Sequence, residues 1–144
     1  MAKLRLELVT PEGRTLSQEA DFVIAPGIDG ELGVLPHHVP LLTPLATGEV
    51  VVRNDGHEDR LFVSGGFLEV LPDRVVILAD AAERAENIDE ARAEEARKRA
   101  EELLAQDETN AEAAAQLESA LFRLRVADIR RRRRERPGAP PPSQ

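Results

Sequence analysis

The chain has 144 residues, a formal net charge of −8 and no cysteine, which excludes a disulfide scaffold, thiolate metal sites and a cysteine nucleophile. Apolar residues make up 42% but aromatic ones only 3%, so the core has to be aliphatic, and 32% charged residues points to a solvated helical portion. No apolar run nears the roughly 20 residues that span a bilayer, and the first five residues lack the apolar stretch of a signal peptide.

Read in chain order, the first 80 residues are short strands. Lys3 to Val9 alternates apolar and charged side chains, the period of a strand with one buried face. Thr10-Pro11-Glu12-Gly13 is a turn, and Asp21 to Ile24 is a second strand stopped by Pro26-Gly27. Gly48 to Arg53 and Asp59 to Val63 flank Asn54-Asp55-Gly56, a hairpin signal. Phe67 to Leu71 and Arg74 to Leu78 flank Pro72-Asp73 as another hairpin. Such spacing predicts an antiparallel β-sandwich or barrel.

From Ala81 to Arg136 there is neither Gly nor Pro, and Ala, Glu, Arg and Leu dominate. Asn87 with Glu90, and Thr109 with Glu112, read as two N-caps with their capping residues. They predict helices over about 88–105 and about 110–134, joined through Gln106-Asp107-Glu108. Ala93, Ala96, Ala100 and Leu103 on the first, and Leu117, Ala120, Leu121, Leu124 and Ala127 on the second, form narrow stripes suited to an antiparallel hairpin. An Ala–Ala contact contributes under roughly 1 kcal/mol, so the stripe fits either a movable element or a permanently packed hairpin. The fold class is therefore α+β, mainly β: an N-terminal antiparallel β-sandwich followed by a C-terminal antiparallel two-helix hairpin. The Pro-rich end, 137–144, reads as a disordered tail.

Several motifs invite chemistry and do not carry it. Gly27, Gly30 and Gly33 are not followed by Gly-Lys-Ser/Thr or a helical period, so a phosphate-binding loop is rejected and turn or bulge geometry within a sheet is read instead. His37 and His38 are adjacent and would point to opposite faces of a strand, which argues for structural or interface histidines over a metal site. Ser64-Gly65-Gly66 lacks the first glycine of a nucleophile elbow. No catalytic constellation is found, and the chain reads as a non-enzyme.

Charge is unevenly distributed. Residues 130–144 hold six basic and one acidic side chain, after a body that is acidic throughout. A helix C-terminus favours cations within its last turn, but five consecutive arginines, Arg130 to Arg134, exceed that need and wind around most of the helix. They point to an acidic partner surface ahead of nucleic acid, which the acidic body repels and which finds no aromatic stacking platform here.

Three stretches together resemble the epsilon subunit of bacterial and chloroplast F-type ATP synthases: Gly30 to Pro36 continuing from His38 to Leu42, Phe62 to Val70, and Ile77 to Ala85 continuing from Ile88 to Ala93. The likeness runs from about residue 3 to 130. It departs at His37, where the family usually has Gly, and in the long basic tail. The resemblance implies a non-catalytic rotor subunit of the central stalk that couples rotation of the catalytic head to the proton-driven c-ring. Residues 1–84 would be the sandwich docking on the gamma subunit and the c-ring, with Gly30, Glu31, Leu32, Gly33, His38 and Leu42 in the docking region. Residues 85–136 would be a regulatory hairpin that stays down or extends into the catalytic hexamer of alpha and beta subunits. There Arg123, Arg125, Arg130, Arg131, Arg132, Arg133 and Arg134 would meet acidic beta-subunit segments and hinder ATP hydrolysis. The address implied is peripheral, on the cytoplasmic face of the bacterial plasma membrane, with membrane contact only through the complex.

Some members of that family bind ATP on the folded hairpin, and the resemblance carries Glu83, Ile88, Asp89, Arg92, Ala93, Arg99 and Arg123 onto that site. No cofactor is required; ATP, with or without magnesium, would be a regulatory ligand. Ser119 and Glu112 stand where arginines are expected, and losing two cations weakens a site for a triphosphate. Asp89 is also a good helix start in its own right. A nucleotide-sensing module is accordingly the alternative to the rotor reading.

Overall fold

The computed structural model describes residues 2–13 and 15–135, with side-chain surroundings up to Arg132 apart from Arg14; the tail expected over 137–144 lies outside these residues. Alternation settles the first strand. Leu4, Leu6 and Leu8 of β1 (Leu4–Val9) point inward and are almost fully buried, while Arg5 and Val9 face out. The same rule sends into one aliphatic core Val50 and Val52 of β6 (Gly48–Asn54) and Leu61 and Val63 of β7 (His57–Val63). Leu68 and Val70 of β8 (Gly66–Val70) join them with Val75 and Ile77 of β9 (Arg74–Ala79). The β6–β7 turn is Asp55-Gly56 with both φ angles positive, the form whose twist matches the strands it joins. Lys3 Nζ braces it, reaching Asn54 Oδ1 at 2.6 Å, Asp55 Oδ1 at 2.8 Å and Asp21 Oδ1 at 2.7 Å. The ammonium bond holds the Asp21 carboxyl below its usual range.

Four further strands were not anticipated: β2 (Thr15–Ala20), β4 (Gly30–Val34), β5 (Leu41–Pro44) and β10 (Ala82–Arg84). β3 (Phe22–Gly27) also continues through Pro26-Gly27, which were expected to stop it. The Pro26 carbonyl accepts from Ala46 N at 2.8 Å, on the side away from β4. N–H and C=O of one strand residue point the same way, so the missing N–H of Pro26 falls where no ladder bond is needed. β10 is built of Ala-Glu-Arg, good helix formers, yet pairs antiparallel with β7; tertiary pairing overrides local propensity here.

The strands form two five-stranded sheets, ordered β2-β1-β9-β8-β5 and β10-β7-β6-β3-β4, packed face to face around the aliphatic core. Every pair is antiparallel except β1 with β9, which run parallel over Arg5–Val9 and Arg74–Leu78. At Gly66 an added Cβ would lie 1.9 Å from the Leu78 carbonyl oxygen, so β8 and β9 approach here only because no side chain intervenes.

After β10 a single 3-10 turn, Ala85–Asn87, leads to α1 (Glu90–Gln106) and α2 (Ala111–Glu135). Both caps differ from the expected ones. Asp89, not Asn87, caps α1 by accepting from Arg92 N at 3.1 Å, because Ile88 is held extended with its side chain buried and the helix cannot begin earlier. Asn110, not Thr109, caps α2 by accepting from Ala113 N at 3.0 Å. The Thr109 hydroxyl and N–H are both taken by Asp107, whose carboxyl they hold below its usual range. The seam is alanine, as expected, but its members differ. Ala93 and Ala100 of α1 and Ala113, Ala120 and Ala127 of α2 recur every seven residues and are buried, while Leu103 and Leu121 remain exposed.

Candidate functional site

α2 rests on the outer face of the second sheet. Phe62 of β7, Ala85 and Ile88 form an apolar cluster with Val126 and Ala127, and Phe122 packs against it. Phe62 can be buried on the outer face because its strand neighbours, Leu61 and Val63, already fill the core side.

Two clasps flank this cluster along one stripe of α2. At the first, Arg123 Nε donates to Glu83 Oε2 at 3.1 Å, Nη1 donates to Ser119 Oγ at 3.2 Å, and the guanidinium stacks 4.7 Å from the Phe62 ring centre. At the other, seven residues on, Arg130 Nη1 donates to the Ala85 carbonyl at 2.6 Å and Nη2 to Glu90 Oε1 at 3.4 Å. Arg131 reaches Glu90 Oε2 at 2.8 Å and Asp128 Oδ1 at 2.7 Å, and Arg132 pairs with Asp128 at 3.0 Å. The negative field of Glu90, with the hydrogen bonds, raises the Arg131 guanidinium further above its ordinary pKa.

These contacts give the residues expected at a nucleotide site definite placements. Glu83 and Arg123 are brought together, but as an ion pair with each other. Ile88 and Ala93 are buried in packing, and Asp89 is spent on the helix cap. Arg92 and Arg99 are exposed and make no ion pair among the described residues. A triphosphate would meet two free cations here, with a carboxylate already over the N-terminus of α1, so the set fits an anionic nucleotide only in part. Arg125 is likewise exposed. Among the described residues no cluster of His, Cys, Asp or Glu is placed to hold a metal ion.

The expected docking segment splits between core and surface. Leu32 packs against the sandwich core, and Gly33 lies where a Cβ would come within 2.9 Å of the Phe22 ring. Gly30, Glu31 and Leu42 are exposed, while half-buried His38 keeps its Nδ1 2.7 Å from the Val39 carbonyl. His37, at the position of the family's usual Gly, has φ of 67° and donates its N–H to Pro72 O at 2.8 Å.

The outer face of the first sheet bears a feature not singled out from the sequence. Pro44, Phe67, Leu78 and Val9 stand in cross-strand register over β5, β8, β9 and β1, a continuous apolar row. Phe67 and Leu78 are each 52% exposed, and Leu42, two residues from Pro44 on the same face, is 69% exposed. The loops beyond add exposed Ile28, Leu35 and Val39. Its signal was present: Phe67-Leu68 and Ile77-Leu78 are apolar on both faces of a strand, which one core cannot use.

Comparison with known proteins matches two family models to this chain. The beta-sandwich domain of the ATP synthase Delta/Epsilon chain matches residues 3–85, and its long alpha-helix domain matches residues 80–128. The ATP synthase epsilon chain of Dehalococcoides mccartyi strain BAV1 is 54% identical over 136 residues, 92% of this chain and 97% of that one. That of Moorella thermoacetica is 53% identical over 133 residues, 88% of this chain and 98% of the other. A chain in the structure of Euglena gracilis mitochondrial ATP synthase, OSCP/F1/c-ring in rotational state 1, superposes with a TM-score of 0.70. It is 26% identical, over 90% of this chain and 82% of that chain.

Proposed function

This chain belongs to the ATP synthase delta/epsilon chain family, and from that membership we propose that it is a non-catalytic rotor subunit of the central stalk. In this role the sandwich binds the gamma subunit and sits on the c-ring, and the hairpin restrains ATP hydrolysis when it extends toward the alpha and beta subunits. No helix among the described residues is long and apolar enough to cross a membrane. The subunit is peripheral in this reading, held at the cytoplasmic face through the complex.

The observation that carries the proposal is the bare apolar row Pro44–Phe67–Leu78–Val9 with Leu42 beside it. The hairpin covers the second sheet, while among the described residues nothing covers this row of the first. Two half-exposed large side chains on rigid central strands are a typical permanent-partner surface, with little ordering cost on binding. We assign it to gamma. Phe67→Glu with Leu78→Glu should leave the isolated chain folded, because both side chains face solvent, yet abolish co-purification with gamma. Retained binding by a folded double variant would refute the assignment.

The restraining role draws on the positive end of α2. Arg125 is exposed and makes no ion pair among the described residues, whereas Arg130 and Arg131 are engaged within the chain in the docked state.

A further inference from the structure

Arg130 and Arg131 sit in a run whose composition suits an acidic partner, yet here they are used internally. Three segments meet at this point: the 3-10 turn through the Ala85 carbonyl, the first residue of α1 through Glu90, and the end of α2 through the two arginines. The contacts bridge 40 to 45 residues of chain, so they close the end of α2 against the start of α1 and the turn that follows β10, and do nothing for α2 alone. Arg132 differs. It is 78% exposed and pairs with Asp128, four residues back in its own helix.

The rest of the docked interface is small. Among the described residues it centres on the cluster of Phe62, Ala85, Ile88, Val126, Ala127 and Phe122, with Arg123 stacked on Phe62 and paired with Glu83. The Arg130 clasp is strong in one bond, a guanidinium on the carbonyl of buried Ala85, while buried Arg130 Nε meets no acceptor among the described residues. Such a contact closes firmly and still favours exchange for a partner that satisfies all the guanidinium donors.

We propose that Glu90 and the Ala85 carbonyl form a latch which Arg130 and Arg131 must leave before α2 can separate from the start of α1 and from the turn that joins the hairpin to the sandwich. The docked state and an acidic protein surface therefore compete for the same two guanidinium groups. The arginine run then acts in both directions: it holds the hairpin down when no partner is near and rewards release when one is. This deepens the restraining role proposed above, and rests on it only for the consequence in the complex.

The test uses the isolated full chain and hydrogen exchange at the α2 amides between Phe122 and Arg130. Arg130→Ala should raise the opening equilibrium about tenfold, equivalent to about 1.4 kcal/mol. Glu90→Gln should raise it several-fold. Arg132→Ala, with the same loss of charge, should stay within about twofold of the parent. Arg130→Lys keeps the charge without the fork and should fall between. Poly-glutamate, as an acidic probe, should speed exchange in the parent and add nothing in an Arg130→Ala, Arg131→Ala variant. Equal effects of Arg130→Ala and Arg132→Ala, or no effect of poly-glutamate on the parent, would overturn the latch. Hydrolysis by the reassembled complex reports separately: normal latch behaviour with unchanged hydrolysis refutes the restraining role and leaves the latch standing.

Discussion

Ile88→Ala isolates the docking of the hairpin from the stability of the sandwich. Ile88 is 5% exposed and packs with Phe62, Val126 and Ala127, none of which belongs to the aliphatic core between the sheets. The substitution removes three carbons, about 0.8 kcal/mol each for the lost burial, plus a cavity contribution that brings Ile-to-Ala changes to about 2–5 kcal/mol. Ala93 and Ala100 still face α2, so α1 and α2 remain partners while their common platform weakens. Released to that extent, the α2 amides from Phe122 to Ala127 should exchange roughly 30-fold faster or more, since each 1.4 kcal/mol is a factor of ten. Amides of β1, β6, β8 and β9 should keep their protection, because their inward side chains do not touch the mutated site. Hydrogen exchange read by mass spectrometry on the full chain measures both at once. Parallel loss of protection in the sandwich would show one cooperative unit, and unchanged α2 exchange would show that the apolar cluster does not hold the helix.

Two other outcomes are expected. His37→Gly relieves a left-handed backbone (φ 67°) that costs an L-residue about 1–2 kcal/mol, offset by the greater freedom of Gly in the unfolded chain; a thermal melt should rise by a few degrees, and a fall would contradict the strain. Titration with magnesium-ATP should give weak binding, and Ser119→Arg, which adds a cation beside Arg123, should strengthen it by about tenfold; submicromolar binding by the parent would mean that the Arg123–Glu83 pair opens to the ligand.

How much of this was legible depended on whether the signal was local. β1 and the β6–β7 hairpin announce themselves through alternation and the Asn54-Asp55-Gly56 turn. β2 does not, because Thr-Leu-Ser-Gln-Glu-Ala is an edge strand with little to bury. β4 hides among glycines although it pairs with its immediate neighbour β3, whereas β5, among prolines, and β10, among helix formers, are set by strands far away in sequence. The helices were evident from composition, but their caps slipped because Ile88 and Asp107 hold the preceding residues by contacts that no single-residue preference reveals. The candidate site was the least legible part. Arg130 facing the Ala85 carbonyl, and Phe67 aligned with Leu78, are products of the fold. Along the chain the arginine is one free cation among five, and the phenylalanine is ordinary strand core.

The parallel pairing of β1 with β9 has a mechanical consequence. The two strands run the same way, so the front of β1 and the back of β9 lie at opposite ends of the ladder. Tension applied between those two points shears the five-pair ladder, stretching its evenly spaced, slanted bonds together instead of opening them one after another. An antiparallel hairpin pulled at its open end unzips one rung at a time and yields at low force. The first and ninth strands of this chain are thus joined in the stiff direction, so a pull between them meets the whole ladder at once.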